Sequence, residues 1–307
     1  MDAGSIDIVA TPFRGAPDLT APLTDPRLAY NSLPLLLSGI FGGAVTPTGG
    51  GTAKTWSYAP ASVAPLDDDD VFTYEFGDDV LTDWYQFGDG LLERLEVTGP
   101  EGLGALTTSM TWRFGSAAST GSTDSPVSGS VPTAGLAVDP DEIIVYLKDI
   151  GIYIASDPYD LPASQISDAL HSFVFRITQA RDQKRFANAD QSFDIDAYGR
   201  GARLIELECS FAKTADTVGT GSESDAWFSD EAVTRYISIV ATSTVMAEGI
   251  IPYSWEFTMP MRYYTRVEGN VGGNTIIVLT ARAFYDAATF AGVLTSEAVN
   301  TLANADF

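Results

Sequence analysis

Alternation of apolar and polar side chains between residues 71 and 115 constrains the fold of this chain more than any other feature. Alternate residues near its end share one apolar face: Leu106, Thr108, Met110, Trp112 and Phe114. A period of two residues is typical of half-buried β-strands. Gly- and Asp-rich sequences at residues 77–79, 88–90 and 99–102 separate the apolar runs and suit tight turns. The stretch therefore predicts a meander of short antiparallel strands.

The same alternation returns in the second half of the chain. It is clearest at residues 203–212, where four apolar side chains point one way: Ile205, Leu207, Cys209 and Phe211. Similar strands are predicted at residues 173–178, 236–242, 254–259 and 275–285. Residues 222–235 predict the one well-formed helix, with serine caps, acids in the first turns and an apolar stripe. Residues 33–41 predict one or two helical turns. The fold class is therefore mainly β, an antiparallel β-sandwich with a flanking α-helix.

Shifts in composition divide the chain into four parts. Residues 1–54 form an N-terminal extended arm with four early prolines, followed by the short apolar segment. Residues 55–115 form the first β-rich half. Residues 116–141 are rich in Ser, Gly and Thr and predict a loop or linker. Residues 142–307 form the second β-rich half, which includes the helix at about 222–235.

The charge balance is strongly acidic, with 41 Asp plus Glu against 17 Lys plus Arg and a formal net charge of −24. Such a surface repels nucleic-acid backbones and anionic membranes, although DNA that must pass without being held stays compatible with it. The acidity has two open explanations, a high-salt host or a GC-rich genome. The most apolar window, residues 32–45, is too short to cross a bilayer, and the sequence predicts a soluble intracellular product.

Residue counts argue against most catalytic chemistry. His171 is the only histidine and Cys209 the only cysteine, so a histidine-based triad and a zinc site both lack side chains. Phosphate- and dinucleotide-binding glycine motifs are absent from the sequence. The acids at residues 67–70, and Asp194 with Asp196, are interpreted as solvated, with hard-cation binding by the former a minority possibility. The sequence therefore predicts no catalytic, cofactor or metal site, and a protein that is not an enzyme.

Several segments together resemble the major tail tube proteins of long-tailed, siphovirus-like double-stranded DNA viruses. They are LPLLLSGIFG, DDVFTYEFGDD, LLERLEVTGPEG and TTSMTWRFG in the first half, and YSWEFTMPMRYYTR and NTIIVLTARAFYDA in the second. In that family an apolar segment precedes an aromatic strand that ends in Gly and an acid. The likeness covers about two-thirds of the chain and consists of patterns rather than of invariant chemical groups.

The resemblance implies subunits that form rings, commonly of six, which stack helically into a hollow tail tube. Inner strands of neighbouring subunits would join into one β-barrel that lines the lumen, through which viral DNA passes without specific binding. Trimeric rings with pseudo-sixfold symmetry stay open. The implied partners are further copies of the chain and other tail proteins, namely the tape measure, terminator and distal tail proteins. The implied location is the virion tail, assembled in the host cytoplasm, with no membrane involved.

Three glutamates on the polar faces of predicted strands are candidates for the lumen or the ring surface: Glu206, Glu208 and Glu256. The alternative is that each is an ordinary solvent-facing acid. The function predicted from the resemblance is a structural, self-assembling virion protein that serves as a conduit for DNA delivery.

Two alternative functions stay open. One is another virion ring component, such as a tail terminator, a baseplate ring or a head decoration protein, which would not polymerise helically. The other is a carbohydrate-binding β-sandwich, which needs an exposed aromatic platform. The candidates for such a platform are Trp84, Tyr85, Tyr263 and Tyr264, and core or interface packing explains them equally well.

Overall fold

The computed structural model describes residues 19–25, 27–41, 45–59, 72–78, 83–99, 104–114, 116–119, 145–148, 150–163, 165–166, 170–184, 197–213, 234–290 and 292–302. The predicted helix at residues 222–235 lies outside this set except for its last two residues, and Arg235 already begins a strand. The acids at residues 67–70, Asp194 and Asp196, and most of the predicted linker also lie outside it.

Strands dominate the described residues. The thirteen strands are β1 (Leu19–Asp25), β2 (Lys54–Tyr58), β3 (Phe72–Asp78), β4 (Asp83–Gly99), β5 (Thr107–Phe114), β6 (Ser116–Ser119), β7 (Ile150–Ala155), β8 (Leu170–Lys184), β9 (Ala197–Ala212), β10 (Arg235–Glu248), β11 (Ile251–Val271), β12 (Asn274–Ala283) and β13 (Thr295–Asn300). The α-helix α1 spans Leu33–Phe41, and short 3-10 helices span Tyr30–Ser32 and Pro158–Ala163. The prediction of a mainly β fold is confirmed.

All strands belong to one sheet system, and every pairing between strands is antiparallel. The main order is β1-β5-β4-β8-β9-β12-β11-β10-β7. Strand β13 lies between β11 and β2, whereas β3 and β6 flank the first part of β4. In this order β1-β5-β4, from the first part of the chain, is followed by β8-β9-β12-β11-β10-β7, from the second part, and the two groups join where β4 pairs with β8.

Strand β11 belongs to two layers. Its first part pairs with β10 and β13, and its second part, from Met261 to Val271, pairs with β12. A register shift between Tyr263 and Thr265 marks a β-bulge, which bends a strand. The first layer is therefore β7-β10-β11-β13-β2, and the second is β11-β12-β9-β8-β4-β5-β1. The rings of Phe175 in β8 and Phe257 in β11 lie 4.3 Å apart, so the two layers pack face to face as a sandwich.

The alternation read from the sequence matches burial in the structure. In β5 the predicted apolar face is buried, and the residues between are half-buried or exposed. In β9 the four predicted inward residues are each at most 2% exposed. Cys209 is among them, and burial raises the pKa of its thiol well above the ordinary range. These side chains form one continuous core between the layers.

The helix α1 is the flanking helix of the sandwich. Eight of its nine residues are buried, which fits its almost entirely apolar sequence, LPLLLSGIF. Pro34 lies in its first turn, where the missing backbone N–H is tolerated. A Cβ atom on Gly39 would lie 2.9 Å from Cη2 of Trp112 and 3.2 Å from Cβ of Leu92. Glycine therefore allows α1 to approach β4 and β5 closely.

Buried polar groups connect α1, β2 and β13, and we call this set the helix junction: Tyr30, Ser38, Trp56, Tyr58 and Asn300. Trp56 Nε1 donates to Asn300 Oδ1 at 2.9 Å, and Asn300 Nδ2 donates to the carbonyl of Tyr30 at 3.1 Å. Tyr58 Oη donates to the carbonyl of Pro34 at 3.1 Å, and burial raises its pKa to about 12. The junction joins the beginning and the end of the described chain.

Residues 19–25 and 27–30 of the predicted arm lie against this chain's own sheet. Strand β1 pairs with β5 along its whole length. Beyond it, Leu28 N donates to the carbonyl of Leu106 at 2.8 Å, and Leu147 N donates to the carbonyl of Leu28 at 2.8 Å. This part of the arm therefore obtains its hydrogen bonds without a second chain.

Candidate functional site

A row of charged side chains crosses the outer face of the second layer. It comprises Arg94 and Glu96 in β4, Arg176 in β8, Glu206 and Glu208 in β9, and Arg282 in β12. These positions alternate with the buried ones, which places the side chains on the solvent face. The register brings them together, since Arg176 lies opposite both Glu96 and Glu206, and Arg282 lies opposite Glu206. We call this set the charged row.

The β4 end of the charged row centres on Glu96. Its Oε2 atom accepts from Arg94 Nη2 at 2.7 Å and from Arg176 Nε at 2.7 Å. Arg176 Nη1 also lies 3.7 Å from Glu208 Oε2. Partial burial raises the pKa of Glu96, but the hydrogen bonds from Arg176 and Arg94 outweigh it, so the pKa lies below its ordinary value.

The β12 end of the row centres on Glu206. Its Oε1 atom accepts from Arg282 Nη2 at 2.9 Å and from Tyr264 Oη at 3.0 Å, and the guanidinium of Arg282 lies 5.0 Å from the centre of the Tyr264 ring. Burial again raises the pKa of Glu206, and the hydrogen bonds from Arg282 and Tyr264 lower it to a net value below the ordinary one. Two of the three candidate glutamates thus lie together and are paired with arginine.

Glu256 lies apart from them, on the outer face of the first layer. Its Oε1 atom accepts from Ser238 Oγ at 2.7 Å and from Thr258 Oγ1 at 2.9 Å. Glu297 of β13 lies directly opposite it in the register, and both residues are exposed. Like charges directly opposite each other on antiparallel strands repel. Shallow grooves of about 380 and 290 Å³ lie on either side of Glu256 and Thr258.

The second layer ends in open strand edges, as far as the described residues extend. At one end, β1 pairs only with β5. At the other, β11 from Arg262 to Val271 pairs only with β12. Strand edges with unpaired N–H and C=O groups are templates for pairing with another chain.

The turn between β11 and β12 defines which backbone groups face this edge. Gly272 and Gly273 have φ values of 59° and 89°, which only glycine adopts readily, and Val271 pairs with Asn274. This is a two-residue type I′ hairpin, in which the closing pair is hydrogen-bonded within the hairpin. Alternate residues then direct their N–H groups outward, so Arg266, Glu268 and Asn270 present theirs to the open edge.

The aromatic candidates for a carbohydrate platform do not form one in the described residues. Tyr263 is buried at 7% exposure, whereas Tyr264 is 49% exposed and donates to Glu206. Neighbouring residues of a strand point to opposite faces, which explains the separation. The side chains of Trp84 and Tyr85 lie outside what the structure describes.

The described residues contain neither a metal-ligand cluster nor a membrane-spanning helix. No group of three or more His, Cys, Asp and Glu side chains there is arranged to hold a metal ion. None of the helices in the described ranges is long and apolar enough to cross a bilayer. His171 lies half-buried in β8.

Comparison with known proteins gives similarity to solved structures only. No protein-family model matches the chain, and no curated protein matches it. Among solved structures, the SPP1 tail tube, determined by solid-state NMR and cryo-EM, is similar to this chain with a TM-score of 0.30 and 12% sequence identity. The match covers 44% of this chain and 72% of that chain.

The sequence analysis missed the arginines of the charged row and the open edge of β11. A signal for the arginines was present, because Arg94, Arg176 and Arg282 occupy polar positions of alternating strands. Only the strand order, however, shows that they face Glu96, Glu206 and Glu208. The open edge depends on which strand pairs with which, and no local pattern reports that.

Proposed function

We propose that this chain is a structural virion protein that assembles into stacked rings and so forms a tail tube for the delivery of viral DNA. The observation that carries the proposal is the pair of open edges on the second layer, at β1 and at the second part of β11. A subunit with one open edge at each end of a sheet is suited to joining neighbours side by side. The sequence resemblance to tail tube proteins agrees with this use.

Ring closure removes the free edges. If the β11 edge of one copy lies beside the β1 edge of the next, the second layers continue from copy to copy into a closed barrel. Closed barrels have no edges, which protects the assembled protein from further lateral aggregation. The two edge strands of the first layer are partly covered. Ile166 N donates to the carbonyl of Ile152 in β7, and Thr48 forms a β-bridge with Thr55 in β2. The second layer is therefore the one proposed to line the lumen.

The charged row suits a lumen that DNA must traverse. Its three arginines balance its three glutamates, so the row itself has no net charge, and the whole chain carries −24. A phosphate backbone gains little from arginines that are already paired with carboxylates, and it is repelled by the overall field. DNA is then conducted without being bound. Glu256, on the first layer, is proposed to face the outside of the tube.

Negative-stain electron microscopy of the purified protein over a series of salt concentrations tests the proposal. Hollow tubes with a regular axial repeat are expected, and end-on views count six or three subunits in each ring. Salt is expected to promote assembly, because the charge of each copy must be screened before the copies pack. Single rings that never stack would indicate a terminator or another ring component instead. A monomer at every salt and protein concentration would overturn the proposal.

A proline substitution tests the open edge directly. Arg266→Pro removes an N–H group that faces outward, and it leaves the N–H groups that β12 uses. Arg266→Ala is the matched control, since it removes the same ion pair with Glu268 and keeps the backbone N–H. Rings are expected from the alanine variant and not from the proline variant, with both remaining folded by circular dichroism. Equal assembly by the two variants would show that this edge is not the contact.

A further inference from the structure

The two open edges of the second layer run in the same direction. A series of six antiparallel pairings leads from β1 through β5, β4, β8, β9 and β12 to the second part of β11. Each antiparallel pairing reverses the direction of the chain, and six reversals restore the original one. Strand β1 and the second part of β11 are therefore oriented in parallel, although they lie at opposite ends of the layer.

A ring carries this direction from copy to copy. In cyclic symmetry each copy is rotated about one axis, so corresponding strands of all copies run the same way along that axis. A β11 edge that meets the β1 edge of the next copy therefore meets it in parallel. A two-fold axis would instead place β11 beside β11, or β1 beside β1, in antiparallel pairs. The direction of the strands thus distinguishes a ring from a two-fold dimer.

Pro22 determines which backbone groups β1 presents at its open edge. Proline has no N–H group, and in an edge strand it occupies a position whose N–H would point away from the paired strand. Pro22 lies opposite Thr111 of β5, so the outward positions of β1 are Thr20, Pro22 and Thr24. Two β1 edges in contact would each lack a donor at Pro22. The edge of β11 presents an N–H at every second residue, which makes it the better partner for β1.

Both edges expose an apolar side chain on the same face of the layer. Val267 is 54% exposed and lies opposite Val278, on the face of β12 that carries the charged row. Pro22 is also exposed, and it lies opposite Thr111, which in turn lies opposite Arg94 of the charged row. Two apolar groups at facing edges of one surface can cover each other when the edges join.

We propose that the second part of β11 in one copy pairs in parallel with β1 of the next copy, with Val267 beside Pro22. The inference rests on the ring assembly proposed above and specifies the strand joint of that ring. Adjacent strands lie about 5 Å apart, so the two apolar side chains contact each other. A register shifted by one residue would place Val267 on the face opposite to Pro22, so the alternation of faces excludes it.

The register also gives the outward backbone groups their partners. In a parallel pair, a residue donates to one residue of the neighbouring strand and accepts from the residue two positions further along. In this joint, Glu268 N donates to the carbonyl of Pro22, and Thr24 N donates to the carbonyl of Glu268. Arg266 N donates to the carbonyl of Thr20. The carbonyl of Arg266 faces the missing N–H of Pro22, so the proline costs the joint one hydrogen bond.

Disulfide trapping at four exposed positions tests both the direction and the register. The joint places Thr265 beside Thr20, and Gly269 beside Thr24, with all four exposed. The test variants are Thr20→Cys/Thr265→Cys and Thr24→Cys/Gly269→Cys. The matched controls exchange the partners, as Thr20→Cys/Gly269→Cys and Thr24→Cys/Thr265→Cys. Because the same four substitutions occur in both sets, a folding defect does not favour the test set.

The test pairs are expected to link copies into a ladder on a non-reducing gel, after mild oxidation at a salt concentration that permits assembly. Their Cα atoms lie about 5 Å apart in the joint, whereas those of the control pairs lie about 13 Å apart or more, beyond the disulfide limit of about 7 Å. The controls should therefore give about tenfold less linked protein. The native Cys209 is 1% exposed and does not compete, and a Cβ atom at Gly269 makes an ordinary contact of 3.6 Å with Ile276.

The outcomes separate this inference from the proposed function. Tubes in the microscope with ladders from the controls alone, from both sets equally or from neither would overturn the parallel joint and leave the tail tube standing. A ladder from the test pairs alone, without tubes, would support the joint and overturn the tail tube. Dimers from Thr265→Cys by itself would show a two-fold contact between β11 edges and overturn the inference. The absence of both ladders and tubes would overturn both proposals.

Discussion

The helix junction and the charged row place their polar groups in opposite settings. At the junction, Trp56 and Asn300 are fully buried, and their hydrogen bonds join residues that lie 244 positions apart. In the charged row, the partners are side chains on the same strand or on adjacent strands, and Arg94 keeps half of its side-chain surface exposed. Water can replace the partners of the row but cannot reach those of the junction. The junction therefore contributes to the stability of the fold. The charged row contributes little to stability, and its paired charges give a surface with no net charge.

Removing Asn300 is expected to give the largest effect. Asn300→Ala leaves the indole N–H of Trp56 and the carbonyl of Tyr30 buried without that partner. Each such group costs about 1–3 kcal/mol, so we expect a loss of about 2–4 kcal/mol in the free energy of unfolding. Urea denaturation measures it. The control is Thr295→Ala, at the exposed end of the same strand. Equal losses of unfolding free energy in the two variants would show that burial of the hydrogen bonds does not determine the effect.

Gly39→Val, which enlarges a residue at the contact of α1 with β4 and β5, is expected to lower the free energy of unfolding by about 1–3 kcal/mol. A side chain there meets Trp112 and Leu92, and overpacking a core costs about that much. Gly50→Val is the matched control, because nothing lies within 4 Å of a Cβ atom at Gly50. Thermal unfolding of both variants compares them. A Gly39→Val protein as stable as the wild type would mean that α1 does not pack tightly on β4.

Breaking the charged row is expected to have a smaller, pH-dependent effect. Arg176→Gln is expected to lower stability by about 0.2–1 kcal/mol at pH 7, the usual range for exposed ion pairs. The pKa of Glu96 is lowered in the folded state, so its contribution is present above the unfolded pKa, near 4.5, and is lost as the pH falls through the folded pKa. Wild type and variant should therefore converge below about pH 4.5. Urea midpoints across pH 3–7 measure this, and a constant difference would contradict it.

The smallest expected effect has the opposite sign. Glu256→Gln removes one of two like charges that face each other across β11 and β13, and it keeps an oxygen for Ser238 and Thr258. We expect stability to stay level or to rise by about 0.2–0.5 kcal/mol. Glu206→Gln, which loses charge pairing with Arg282, is expected to lower it. Differential scanning calorimetry compares the stability of the two variants. Equal losses of stability in Glu256→Gln and Glu206→Gln would contradict the prediction.

Local patterns in the sequence predicted most of the strands. The period of two in β5, β9 and the first part of β11 is strong because each strand has one buried face, and the structure confirms these faces. The helix expected at residues 222–235 lies almost wholly outside the described residues and stays a prediction. At residues 33–41 only one or two helical turns were predicted, and α1 is found there, short and apolar on all sides. Amphipathic periodicity marks a surface helix, and a helix buried all round has none.

The candidate site was predictable only in part. Glu206 and Glu208 were placed on a polar face, and the structure agrees, but Glu256 was grouped with them and lies on the other layer. Alternation tells which way a side chain points within its strand. It does not tell which layer the strand joins, because that depends on contacts between residues far apart in sequence. The pairing of Arg176 with Glu96, which are 80 positions apart, has the same cause.

The position of β13 has a consequence for the order of folding. The meander from β10 to β12 consists of neighbours in sequence and can form early, since short loops close at low entropic cost. In contrast, β2 reaches the first layer only through β13, which is synthesised after every other described strand. The first layer is therefore incomplete on the ribosome until residues 295–300 have emerged. Until then, one edge of β11 and the apolar side of β2 lie uncovered, and the acidic charge of the chain opposes premature pairing with neighbouring copies.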